Sequence, residues 1–129
     1  MSEIPSELRY TKEHEWIRID GDNVIVGITD YAQNALTDVV WVEIDPGLEG
    51  TDVAEMESFC SVESVKSVSE IYSPVSGTIL EFNMSLEDAP EQLNQSPYQD
   101  GWIAKIKPHN LDDINNLLDA EAYSNVVGE

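Results

Sequence analysis

Positive charge is what this chain has least of. Lysine and arginine together number 6 against 26 aspartates and glutamates, giving a formal net charge of −20. Each nucleic-acid phosphate contact needs a cation, so nucleic acid is not expected as a partner, and an anionic membrane surface is disfavoured on the same ground. A surface of this sign keeps the chain soluble in a salty cytoplasm or steers it toward basic partners, and the composition fits either reading. Cysteine is nearly absent: Cys60 stands alone, which leaves no internal disulfide and no Cys-x-x-Cys pair for zinc. It is expected to be a small buried or half-buried apolar residue.

Other absences narrow the field further. No apolar run is long enough to cross a bilayer, and "MSEIPSELRY" has no basic segment ahead of an apolar one, so export is not expected. The expected location is the cytoplasm, a mature mitochondrial form being the other that fits. No metal-ligand spacing joins His14 to His109. The D-x-D-x-D-G calcium loop is missing, and Asp20-Gly21-Asp22 reads as a turn. Neither a nucleophile and base pair nor a phosphate loop is visible, which argues against a free-standing enzyme.

What is present suffices for one folded domain. The chain has 129 residues, 41% of them apolar, with three tryptophans and five tyrosines. Trp16, Ile17 and Ile19, then Val24 to Ile28, flank the turn-forming residues 20–23 and predict a β-hairpin. "TDYAQNAL" predicts a short helix, with Asp30 and Gln33 at capping-box spacing. "DVVWVEI" at 38–44 predicts a strand stopped by Pro46-Gly47, and a second β region starts near Thr51. Further strands are expected at 78–82 and 102–108, separated by the polar segment "NMSLEDAPEQLNQSPYQDG", which reads as mostly loop with room for a helical turn. In the tail, Asn110 as N-cap, Asp112 and Asp113 in the first turn, and the stripe Leu111, Ile114, Leu117, Leu118 predict an amphipathic helix at about 110–123.

Lys66, in "SVESVKSVSE" at 61–70, is the lone basic residue between Arg18 and Lys105. Val62, Val65, Val68 and Ile71 recur every three residues, which a helix could use, but serines and β-branched valines are poor helix formers. Two period-two strands with a turn near Val65-Lys66 account for the same pattern. That hairpin would hold Lys66 at its tip. A lone exposed lysine is ordinarily a solvated charge; an amine protruding from a fixed backbone is also what an acylating enzyme and a tethered cofactor arm require.

The motifs "YTKEHEW", "VGITDYAQNAL", "DVVWVE", "VESVKSVSEIYSPVSG", "SPYQDGWIAKIKP" and "LLDAEAY" occur in one order from about Leu8 to Tyr123. Together they resemble the glycine cleavage H-protein family. The resemblance implies a single domain over residues 1–129. It also implies a mainly β fold, a flattened barrel and sandwich hybrid of the lipoyl and biotinyl carrier type, with a short internal helix and a packed C-terminal helix. It implies a non-catalytic carrier holding (R)-lipoic acid as N6-lipoyllysine on Lys66, with Glu63 as a flanking recognition residue. A lysine amine is largely protonated near neutral pH, so a lipoate ligase or octanoyltransferase must deliver the acyl group activated.

The implied partners are the pyridoxal-phosphate glycine decarboxylase (P protein), the folate-dependent aminomethyltransferase (T protein) and the flavin-dependent dihydrolipoyl dehydrogenase (L protein). The arm would accept an aminomethyl group at the first, present it to the second and be reoxidised by the third. In the family the arm folds back near the motif that is His14-Glu15-Trp16 here. Glu15 is accordingly either the dock for the loaded amine or a solvated surface acid, and His14 is a packed or hydrogen-bonded neighbour rather than a proton shuttle. Glu70 stands where the family commonly has aspartate, and Ala35 occupies a variable helix position, so no groove role is assigned to either. Cys60 lies near the attachment hairpin. Biotin carriers read Met-Lys-Met, and lipoyl domains of 2-oxo acid dehydrogenases read Asp-Lys beside a mobile linker; neither pattern occurs. An H-like protein acting mainly as a lipoate store or relay is the alternative.

Overall fold

The computed structural model describes residues 2–128. Their strands are β1 (Arg9–Tyr10), β2 (Glu15–Asp20), β3 (Asn23–Ile28), β4 (Val39–Glu43), β5 (Asp52–Val53), β6 (Ser58–Ser64), β7 (Val68–Tyr72), β8 (Gly77–Phe82) and β9 (Ala104–Pro108). The helices are α1 (Asp30–Leu36), α2 (Ser85–Asp88), α3 (Gln92–Gln95) and α4 (Ala120–Val127). The predicted first hairpin is β2 with β3, paired from Glu15↔Ile28 to Asp20↔Asn23. Gly21 in its two-residue loop has φ +63°, the left-handed backbone such loops require.

Two antiparallel sheets result, one in the order β1-β2-β3-β9-β8-β5 and the other β4-β6-β7. The alternation that marks each strand decides what lies between them. Val24, Val26, Ile79 and Ile106 from the larger sheet join Val39, Val42, Val62 and Ile71 from the smaller one in a single buried cluster. Phe59 and Phe82 stack across it with ring centroids 6.1 Å apart. The flattened barrel and sandwich arrangement expected from the sequence is the one observed.

A second, aromatic cluster forms on the other side of β2. Leu8, Tyr10, Trp16, Tyr98 and Tyr123 are buried there, and Tyr10 stacks on Tyr123 at 4.6 Å. Trp16 sits opposite Gly27, where a Cβ would lie 2.6 Å from the indole, so the strand partner must be glycine. The polar tips of these rings are all occupied, as burial demands: Trp16 Nε1 donates to the Pro97 carbonyl at 3.0 Å, and Tyr98 Oη donates to the Glu3 carbonyl at 2.6 Å.

Two expectations need correction. The cap of α1 is Thr29, whose hydroxyl accepts the Ala32 N–H, while Asp30 lies one position inside the helix and accepts from the Gln33 amide at 2.7 Å. The tail is not one helix over 110–123. Asn110 does cap a turn, accepting from the Asp112 N–H, but that turn is a 3₁₀ segment, Leu111–Asn116. The chain then leaves helical geometry: Leu118 exchanges two backbone hydrogen bonds with Tyr10, and Asp119 caps α4, which ends at Gly128 with φ +76°. The reason lies in the packing, because Leu117 serves the main core and Leu118 the aromatic cluster, two destinations that one straight stripe would not reach. Among the described residues no helix is long and apolar enough to cross a membrane.

Candidate functional site

Strands β6 and β7 form the hairpin expected around Lys66, paired from Ser58↔Tyr72 to Glu63↔Val68. The turn between them is held by one side chain. Ser64 is buried, and its hydroxyl accepts the N–H groups of both Lys66 and Ser67 at 3.1 Å. The Ser64 N–H donates to the Ser67 carbonyl at 2.8 Å, and the Val65 N–H donates to the Asp38 carbonyl at 3.0 Å, tying the tip to the start of β4. This is a hydroxyl-stabilised turn with every tip N–H assigned. Lys66 is exposed on it and belongs to neither ion pair found among the described residues, Lys105 with Asp20 and His109 with Asp52. Removing the clamp with Ser64→Ala is expected to cost ~1 kcal/mol and to raise amide hydrogen exchange at Lys66 and Ser67 about tenfold. Unchanged exchange at those two amides would locate the rigidity elsewhere.

A groove of ≈490 Å³ opens beside the tip. One wall is the hairpin itself with Lys66, Ser69 and Glu70; facing it are Tyr31, Ala32 and Ala35 of α1, with Glu13 and His14 from the turn before β2. A larger hollow of ≈590 Å³ lies near Arg18 and Tyr98, without Lys66 in its lining. His14 adopts φ +73°, a strained value for a residue with a side chain. Its Nδ1 lies 2.9 Å from Tyr123 Oη, which in turn lies 2.7 Å from Thr29 Oγ1, and its ring is 4.8 Å from Tyr31. Burial holds the His14 pKa below the ordinary histidine value, so the ring is neutral near pH 7.

A fixed turn thus presents one lysine at the mouth of a half-apolar groove. The glycine cleavage H-protein family model matches residues 8–129. The chain belongs to that family. It is 54% identical to the glycine cleavage system H protein of Geobacillus kaustophilus over 97% of both chains. It is 51% identical to the H protein of Staphylococcus carnosus over 98% of both. The crystal structure of a glycine cleavage system H protein from Mycobacterium marinum superposes with a TM-score of 0.87 at 39% identity, covering 98% of this chain and 100% of that one.

On this H-protein frame the remaining candidate residues fall into different places. Glu63 is exposed on β6, directly opposite Trp41 of β4 and Val68 of β7. Glu70 was assigned no groove role from the sequence, yet it lines the groove and accepts from Ser58 Oγ at 2.8 Å. Glu15 differs most from expectation. It is neither a solvated acid nor part of the groove lining, being only 1% exposed, with Oε1 accepting from Thr11 Oγ1 at 2.6 Å and Oε2 from the Tyr72 N–H at 3.3 Å. Burial pushes its pKa up to about 7, against the two hydrogen bonds that favour the carboxylate.

Cys60 is buried, and burial followed by the nearby Glu70 and Glu43 pushes its thiol up to about 12, so it is inert as a nucleophile. Ser64, Glu13 and Tyr123 went unnoticed in the sequence. For Ser64 a signal existed, since a serine two residues before a turn tip can accept the amides two and three positions on; for Glu13 and Tyr123 nothing local marked them. Among the described residues no cluster of three or more His, Cys, Asp or Glu is arranged to hold a metal ion.

Proposed function

We propose that this chain is the lipoyl-carrying shuttle of a glycine cleavage system, with lipoate joined to Nζ of Lys66. The observation that carries the reading is the Ser64-clamped tip, which presents Lys66 at the mouth of a groove of ≈490 Å³. The residues present fit the group: Tyr31, Ala32 and Ala35 offer apolar contact for an aliphatic arm, and the exposed lysine offers a free amine. A lipoyl group bound there supplies a disulfide ring that takes up and gives back a carbon fragment and two electrons, the bond-making belonging to the cofactors of partner enzymes.

The chain's own residues hold and shield. Glu13 and Glu70 give the groove a negative lining that favours a cationic amine, at reduced dielectric where charge-assisted hydrogen bonds strengthen. Glu15 lies outside the lining and, with a pKa of about 7, exchanges its proton near neutrality. Buried at 1% exposure, Glu15 offers the amine no open contact, and the carboxylates placed to receive it are the lining residues Glu13 and Glu70. Neutral His14 adds no repulsion to that cation and is steadied by Tyr123.

The partners of this reading are the P, T and L proteins and the ligase or octanoyltransferase that loads Lys66. The relatives from Geobacillus kaustophilus and Staphylococcus carnosus, both named as glycine cleavage system H proteins, favour this role over that of a lipoate store. The test is direct: the unmodified chain is incubated with lipoate, ATP and a lipoate ligase, weighed intact and fragmented. One lipoyl increment on Lys66, and support of glycine decarboxylation by a P protein afterwards, are expected. An increment on another lysine, or a loaded chain that the decarboxylase ignores, would overturn the proposal.

A further inference from the structure

The outer face of the β4-β6-β7 sheet carries apolar side chains around Lys66. Trp41, Glu63 and Val68 are direct partners in the strand register and so share that face, whereas Val42 and Val62 beside them point inward and are buried. Trp41 is 47% exposed, Val68 63%, Val65 at the tip 69%, and Val40 at the β4 bulge 46%. Scattered exposed apolar residues are ordinary, but these gather on one face of a single three-stranded sheet, with Trp41 and Val68 on its two outer strands flanking Glu63 of the middle one, and such a gathering marks an interaction surface. Its rim is acidic, with Asp38, Glu43 and Glu70 exposed around it, and Glu63 is exposed between Trp41 and Val68.

Reach decides which partner this surface suits. An enzyme that acts on a loaded arm is met at the arm's full length and need not touch the hairpin body closely. An enzyme that acylates the bare lysine has only the four-carbon stem between its active site and the protein backbone. It must therefore press against whatever lies beside Lys66, and what lies there is Val65, Val68 and, one strand beyond Glu63, Trp41. The charge pattern calls for lysines or arginines on the partner opposite the acidic rim.

We propose that Trp41, Val65 and Val68 form the docking surface for the enzyme that acylates Lys66, with Trp41 as its apolar anchor. The inference rests on the lipoyl-carrier reading of Lys66. In the transfer the Lys66 nitrogen forms an amide bond with the acyl carbon of an acyl adenylate. The acyl–oxygen bond breaks, AMP departs with its electron pair, and the amine's proton passes to the enzyme or to water.

The experiment measures initial acylation rates by intact mass, using the full chain with lipoate, ATP and a lipoate ligase. The variants are Trp41→Ala, Val68→Ser and, as a control on the distant first hairpin, the 60% exposed Ile19→Ser. Trp41→Ala is expected to lower kcat/KM for acylation at least tenfold, in the range of a buried aromatic anchor, and Val68→Ser about threefold. Ile19→Ser should match wild type, and added salt should slow the wild-type reaction. Once driven to full loading, Trp41→Ala should support glycine decarboxylation at the wild-type rate. Val68→Ser decides the matter if Trp41→Ala fails to fold. Equal acylation rates in wild type and variants would overturn the docking surface alone. So would a decarboxylation defect in loaded Trp41→Ala as large as its acylation defect, or a wild-type dimer that Trp41→Ala dissolves. A wild-type chain that takes up no lipoyl overturns the carrier reading and this inference together.

Discussion

Replacing Lys66 with arginine is expected to abolish lipoyl loading completely and with it all glycine cleavage that depends on this carrier, while the thermal midpoint stays where it was. The charge survives the substitution, and so does the turn, because the tip is fastened through backbone amides and the Ser64 hydroxyl rather than through the lysine side chain. What disappears is the nucleophile: a guanidinium remains protonated at any pH an acyltransferase works at. Intact mass after incubation with ligase, lipoate and ATP gives the first readout, and glycine decarboxylation the second. A lipoyl increment on Lys66→Arg would mean that a different lysine is the acceptor. Lys12, Lys105 and Lys107 are the remaining lysines, and Lys105 is engaged with Asp20 at 3.5 Å.

The second large effect is a loss of stability between pH 5 and 8 that traces to Glu15. In the folded chain its pKa is about 7, against an ordinary value of 4.5, because burial penalises the carboxylate more than Thr11 and the Tyr72 N–H reward it. Between those two values the folded chain keeps a proton that the unfolded chain has released. Stability is therefore greatest where both states are protonated, declines as pH rises above 4.5, and reaches its full loss above 7. At ~1.4 kcal/mol for each unit of pKa, the interval corresponds to ~3 kcal/mol. Urea denaturation at pH 5 and pH 8 measures the loss, and Glu15→Gln should remove most of it. Repulsion among the other carboxylates contributes a slope of the same sign in both proteins, so the difference between them isolates Glu15. Parallel stability curves for wild type and Glu15→Gln would show that Glu15 titrates normally.

The two effects differ in how readable they were. Lys66 stood out because it is the lone cation in a long acidic stretch, and because period-two valines on either side force a reversal there. The strands were legible for the same reason: alternation over five or six residues is a local signal, and β2, β3, β4 and β8 fell within a few residues of where it placed them. Boundaries that depend on one hydroxyl were harder, as with Thr29 and Asp30, adjacent residues that both qualify as caps. The tail misled because Leu117 and Leu118 satisfy helical spacing while serving separate cores. Glu15 could not have been placed at all. Its burial depends on Tyr72, 57 residues away, whose N–H closes over the carboxylate only once β7 has folded back against the turn preceding β2.

The strand-like contact between Leu118 and Tyr10, with Tyr123 behind it, gives the carboxyl end an influence that its distance along the chain from Lys66 conceals. A protease cut just before Asp119 would remove less than a tenth of the chain and leave both sheets whole. It would also strip His14 of the phenol that steadies it and unseat the cap of α1, so clipping at one extremity would be felt at the wall of the groove beside Lys66.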